Sequence, residues 1–168
     1  MDEPELKSQL RKTLHDSFDL REEVNGQFLV DGTSVIIDFL AYPKTELIDR
    51  GFDPFWFGIE AKSPQCKDPK KKGLQVAWQT ITYAQSRFDD IRPQFVLIFP
   101  PLEEFFPDNE SHWLKCLLQK ANVGDLRIKP NGIDWKIEFG AAGRYFSNTH
   151  GRSKTMNLGQ RRVVGTWK

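Results

Sequence analysis

The segment Gln94-Phe-Val-Leu-Ile-Phe99, introduced by Pro93, is an apolar run without polar alternation. Such a run reads as a strand buried on both faces of a sheet. It is also far short of the roughly 20 apolar residues that a membrane-crossing helix needs. A chain of 168 residues, 39% hydrophobic and 28% charged, has the size and balance of one globular domain, and its apolar content sets it apart from a disordered chain. Its start, Met1-Asp-Glu-Pro-Glu, is acidic where a signal peptide is basic and then apolar. Cys66 and Cys116 form no CxxC pair, so neither a disulfide framework nor a thiolate zinc site is encoded. A cytoplasmic protein with no membrane association is expected.

Helices and strands can be laid out around that buried run. Leu6, Leu10, Leu14 and Phe18 recur every four residues and predict an amphipathic helix over 3–18, with Pro4 in its first turn. Residues 27–30, the turn pair Asp31-Gly32 and residues 33–42 predict two strands joined as a hairpin. A third strand is expected over 55–62, then a basic loop over 64–73. Residues 74–88 contain no Gly or Pro and set Leu74, Ala77, Trp78, Ile81, Ala84 and Phe88 on one stripe, a helix expected to pack on the sheet through that face. After the buried strand, a helix is expected over 111–121 and a hairpin over 125–139 around Pro130-Asn-Gly132. Periodicity fades from Gly140 onward, so the domain is placed at 1–139, with 140–168 as a tail or extension.

The net charge of +1 conceals an asymmetry. Residues 140–168 contain no Asp or Glu, while Arg144, Arg152, Lys154, Arg161, Arg162 and Lys168 make them basic, which leaves 1–139 net acidic. A second basic cluster, Lys67-Asp-Pro-Lys70-Lys71-Lys72, interrupts the acidic part. Two local patches on a nearly neutral chain point to a polyanion that touches particular places.

Three ionisable residues fall in apolar strands. Asp38 lies in the second, and Glu60 and Lys62 in the third. Charges there are costly unless paired. Strand alternation sets Glu60 and Lys62 on one face, with Gly58 leaving room beside them, and Phe57, Ile59 and Ala61 on the other. If the second and third strands are neighbours, Asp38 approaches Glu60, and two carboxylates that close call for a cation. Oxygen donors of this kind suit Mg²⁺ or Mn²⁺.

The order helix, three strands, helix, strand, with Asp38…Glu60-Ala61-Lys62 placed within it, resembles the PD-(D/E)xK nuclease superfamily over residues 3–100; Ile37 stands where the written motif has Pro. Gln79-Thr-Ile-Thr-Tyr83 is similar to the Q-x₃-Y motif of the superfamily's RecB-like and lambda-exonuclease-like branch. The resemblance implies an α/β (α+β) fold with an αβββαβ restriction-endonuclease-like core, extended here by a C-terminal helix and β-hairpin. It further implies a Mg²⁺- or Mn²⁺-dependent deoxyribonuclease. Asp38, Glu60 and the Ala61 carbonyl would hold the metal, with Glu5 as the candidate acid on the first helix, ahead of the competing acids Glu3, Asp16, Glu22 and Glu23. Lys62 would orient or deprotonate water, and Gln79 and Tyr83 would line the site. Lys67, Lys70, Lys71 and Lys72, with Arg144, Arg152, Arg161 and Arg162, are the expected nucleic-acid contacts. DNA is the expected partner, with RNA, a homodimer or a larger nucleic-acid-processing complex left open. By fold-level analogy, such a domain fits a phage, mobile-element or bacterial defence setting. Two other readings remain: a domain of the same fold that binds nucleic acid without cutting it, and a protein-interaction domain.

Overall fold

A computed structural model describes residues 1–140 and 143–153. The fold is mixed α/β; among the described residues it has four α-helices and one nine-stranded, mostly antiparallel sheet. The elements are α1 (Glu3–Leu14), β1 (Phe18–Phe28), β2 (Ser34–Pro43), α2 (Thr45–Asp49), β3 (Phe57–Ala61), α3 (Pro69–Ala84), β4 (Ser86–Phe88) and β5 (Val96–Phe99). A short 3₁₀ helix (Leu102–Phe105), α4 (Glu110–Lys120), β6 (Val123–Ile128), β7 (Trp135–Phe139), β8 (Gly143–Ser147) and β9 (Gly151–Arg152) follow. Across the sheet the strands run β4-β1-β2-β3-β5-β6-β7-β8-β9, and only β3-β5 and β5-β6 pair in parallel. No helix among the described residues is long and apolar enough to cross a membrane.

The uninterrupted apolar run does what its pattern requires. Phe95, Leu97 and Phe99 enter a core with Leu6, Leu10 and Leu14 of α1, while Val96 and Ile98 enter a second core under α3 and α4. The first core is aromatic-rich: Phe18 meets Phe57 edge-on at 5.2 Å between ring centroids, and Phe57 stacks on Phe95 at 5.0 Å. Such pairs add about 0.5–1.5 kcal/mol each beyond their burial.

Several expected boundaries move. α1 ends at Leu14, and Phe18 opens β1 instead of extending the helix. β1 is far longer than the four residues expected, because its polar side chains are exposed and its backbone pairs with β2 along nearly its whole length. The segment 64–73 is a loop only as far as Asp68, whose side chain caps α3 by accepting from the Lys71 amide at 3.1 Å, with Pro69 in the first turn. Lys70, Lys71 and Lys72 therefore belong to a helix. α3 also ends at Ala84, so that Phe88 lies on β4. The face that α3 buries is Gly73, Val76, Ala77, Thr80, Tyr83 and Ala84, whereas Leu74 and Trp78, expected in the core, are 56% and 72% exposed. Gly73 explains the rotation: its bare Cα lets Phe105 and Phe106 approach where a Cβ would stand 2.7 Å from each.

The chain does not leave the domain at Gly140. β8 pairs with β7 and buries Tyr145 and Phe146 in the first core. Arg161 and Arg162 lie outside the described residues.

Candidate functional site

The site forms where β2 and β3 end their pairing. The ladder runs Ala41↔Phe57, Leu40↔Gly58, Phe39↔Ile59, and its next step sets Asp38 opposite Glu60. One Asp38 oxygen, Oδ2, accepts from the Ala61 main-chain amide at 2.9 Å. The other, Oδ1, lies 2.6 Å from Lys7 Nζ, brought in by α1. Lys62 Nζ bridges Glu60 Oε1 at 3.2 Å and Glu3 Oε1 at 3.1 Å. A second acid, Glu23, comes within 3.8 Å of Lys7. It occupies the β1 position between the pairs Glu22↔Phe39 and Val24↔Ile37 and has φ 48, a left-handed kink in an otherwise regular ladder.

Glu60 is the most unusual group of the cluster. It is 2% exposed, and its Oε2 has no hydrogen-bond partner among the described residues. Burial first, and then the neighbouring Asp38 charge, push its carboxyl up to about 7, against the opposing pull of Lys62. Burial works against the Lys62 ammonium, but Glu60 and Glu3 outweigh it and hold its pKa above the ordinary value. Lys7 behaves likewise, with Asp38 overcoming the effect of burial. Tyr83, buried on α3, is pushed up to about 12 by burial and then by the Glu60 charge, which puts its hydroxyl within electrostatic reach of the carboxylates.

The donor chemistry fits a hard divalent cation. Four carboxylates, Glu3, Glu23, Asp38 and Glu60, surround two ammoniums, Lys7 and Lys62, so the cluster is short of positive charge, and one buried oxygen of Glu60 lacks a partner. No group of three or more His, Cys, Asp or Glu among the described residues is arranged to hold a metal. A cation here would rest on Asp38, Glu60, the Ala61 carbonyl and non-protein ligands, a pattern that Mg²⁺ accepts.

Beside the cluster a cleft of about 660 Å³ runs along α3, lined by Lys62, Lys71, Lys72, Gln75 and Gln79, with Leu74 and Trp78 on the same wall. Gln79 thus lines the cleft, whereas Tyr83 is on the buried face of α3, within electrostatic reach of Glu60. Glu5 is not: it closes the capping box of α1, its Oε2 accepting from the Asp2 amide at 2.8 Å, and Glu3 is the α1 acid that reaches Lys62. Lys67 is exposed in the loop between β3 and α3. Lys70 is engaged elsewhere, 3.0 Å from both Asp108 and Glu110.

Of the four arginines expected to contact nucleic acid, the two that are described, Arg144 and Arg152, stand apart from the cluster. Arg152 pairs with Asp53 ahead of β3 and lies over the Tyr145 ring at 4.5 Å. Arg144 is level with Glu60 in register but four strands away, through Ile98, Asp125 and Glu138.

Comparison with protein families, with curated proteins and with solved structures finds no match for this chain. What the site does must therefore follow from its own chemistry. Sequence reasoning passed over Lys7 and ranked Glu3 below Glu5. The spacing of Glu3 and Lys7, four apart on one helix, reads as an ordinary intrahelical ion pair, which masks the fact that each residue pairs with a strand.

Proposed function

We propose that this chain is a metal-dependent nuclease of the PD-(D/E)xK type, built on a restriction-endonuclease-like core, that hydrolyses phosphodiester bonds in DNA. The observation that carries this reading is the buried, partly unpartnered Glu60 carboxylate facing Asp38, with Lys62 one residue beyond and a lysine-lined cleft alongside. Asp38, Glu60 and the Ala61 carbonyl would hold Mg²⁺ or Mn²⁺, which supplies Lewis acidity toward water and the phosphate.

The protein's own groups do the rest. The Ala61 amide and Lys7 fix the Asp38 carboxylate from two sides. Lys62 stays protonated between two acids, which favours a role in orienting water and offsetting charge that develops on the phosphate over a role as base. Lys71 and Lys72 meet the substrate backbone. Gln79 lines the same cleft, which supports a role for it in hydrogen-bonding the scissile phosphate or its water.

The test is cleavage of linear duplex, circular and single-stranded DNA with Mg²⁺, Mn²⁺ or EDTA, comparing the native protein with Lys62→Ala and Asp38→Asn. Metal-dependent cutting that disappears in both variants supports the reading. Persistent cutting in either variant, or none in the native protein, overturns it. A second reading, a module that binds nucleic acid without cutting, is supported by the lysine-lined cleft, which needs no metal to hold a phosphate backbone. It predicts unchanged DNA affinity in both variants and no cleavage.

A further inference from the structure

The cleft wall carries an observation that phosphate chemistry leaves unexplained. Trp78 is 72% exposed and Leu74, one turn before it, is 56% exposed, on a helix whose opposite face is well buried. Leaving a Trp this bare forfeits much of what its burial would contribute to folding. Its neighbours are not apolar: Lys71, Lys72, Gln75 and Gln79 share the cleft, and Lys62 closes it at the acid cluster. An aromatic face framed by cations and amides suits a ligand that is itself a flat ring on an anionic backbone, and fits an apolar protein surface poorly.

Duplex DNA does not offer such a face, because each base is covered by its neighbours in the stack. An unpaired nucleotide does. Stacking on a side chain is also indifferent to sequence, since every base has a π face. Lys71 and Trp78 are seven residues apart, about 10 Å along the helix axis, room for a nucleotide unit and its flanking phosphate. We infer that the α3 cleft binds an unpaired nucleic-acid strand, with a base stacked on Trp78 and adjoining phosphates on Lys71 and Lys72, so that the nucleolytic site acts on single-stranded DNA or on frayed ends. This names the substrate class of the site proposed above and rests on that reading for its catalytic part alone.

The experiment measures binding in EDTA, where no chemistry occurs, by the anisotropy of a fluorescein-labelled oligothymidylate and of a blunt duplex of equal length. The full chain is compared with Trp78→Ala and Trp78→Phe. Trp78→Ala is expected to weaken single-strand binding about tenfold, the effect of losing one stacked base. Trp78→Phe recovers most of that affinity, and duplex binding changes little in either variant. Because Trp78 is exposed, both variants should melt as the native protein does, which a thermal scan checks. Single-strand affinity unchanged in Trp78→Ala, or duplex affinity reduced by the same factor, overturns the inference. Failure of the nuclease reading has a different signature: no cleavage by the native protein, with the Trp78 effect on binding intact.

Discussion

Asp38 accepts a hydrogen bond from the main-chain amide of Ala61. One strand thereby fixes the backbone between the two charged residues of its neighbour, and the carboxylate is held before any ligand arrives. Removing it has a cost that can be measured. Asp38→Ala leaves the Ala61 amide without its acceptor and Lys7 with only the more distant Glu23, and should lower unfolding free energy by about 2–4 kcal/mol. Asp38→Asn keeps an oxygen for the amide and should lose roughly half as much by the same reasoning. Urea unfolding at neutral pH with an unchanged slope decides; equal losses would mean that the amide contact contributes nothing.

The pH dependence of stability follows from Glu60. Its carboxyl titrates near 4.5 in an unfolded chain and at about 7 in the native one, so across that interval the native state binds the extra proton. Stability from this group is therefore greatest at the acid end and falls as pH rises, by about 3 kcal/mol in all. Melting curves in EDTA should show that decline in the native protein and not in Glu60→Gln. Mg²⁺ favours the ionised carboxylate and should flatten it. A pH profile identical in Glu60→Gln would count against the assignment.

The lysines at the start of α3 should differ in their salt dependence. Lys71 and Lys72 face the cleft, whereas Lys70 is held by Asp108 and Glu110. Replacing Lys71 or Lys72 with Ala should make the slope of log affinity against log salt shallower by about 0.7 for a single strand. Lys70→Ala should leave that slope as it is. A drop as large for Lys70 as for Lys71 would show that its carboxylate partners release it to the nucleic acid.

Gly58 bears on how Glu60 is seated. Far from leaving open room, its bare Cα is covered, and a Cβ would stand 2.4 Å from Ile37 Cδ1 and 3.3 Å from Val96 Cγ2. Gly58→Ala should therefore destabilise by about 1–3 kcal/mol through overpacking. Adding Ile37→Val, which removes that δ-methyl, should restore part of the loss. Strictly additive losses in the double variant would argue against this contact.

Much of the scaffold was legible in the sequence, because patterns backed by burial are hard to hide. The Leu6-Leu10-Leu14 stripe, the run at 94–99 and the turn glycines Gly32 and Gly132, both at positive φ, each led to an element that exists. β1 was mostly missed for a physical reason. With Asp19, Arg21, Glu22, Glu23 and Asn25 exposed or nearly so, its order comes from backbone pairing to β2, and side-chain pattern carries little trace of that. α3 was placed but rotated, since an exposed Leu and Trp mimic a buried stripe. The strand residues of the candidate site, Asp38, Glu60 and Lys62, were marked by charge in apolar company. The α1 contributors were not, because acids and lysines on an amphipathic helix are what any surface helix shows.

The crossed pairing of Glu3 with Lys62 and Lys7 with Asp38 also acts as a registration key. Leucines spaced four apart would let α1 slide one turn along its groove and still present Leu to each hollow. The charges break that degeneracy. A slip one way would bring Lys7 against Lys62, and a slip the other way would bring Glu3 against Asp38, so each wrong seat sets like charges face to face in poorly solvated surroundings. The groups that make the site chemically distinctive thus also tell the first helix where to stop.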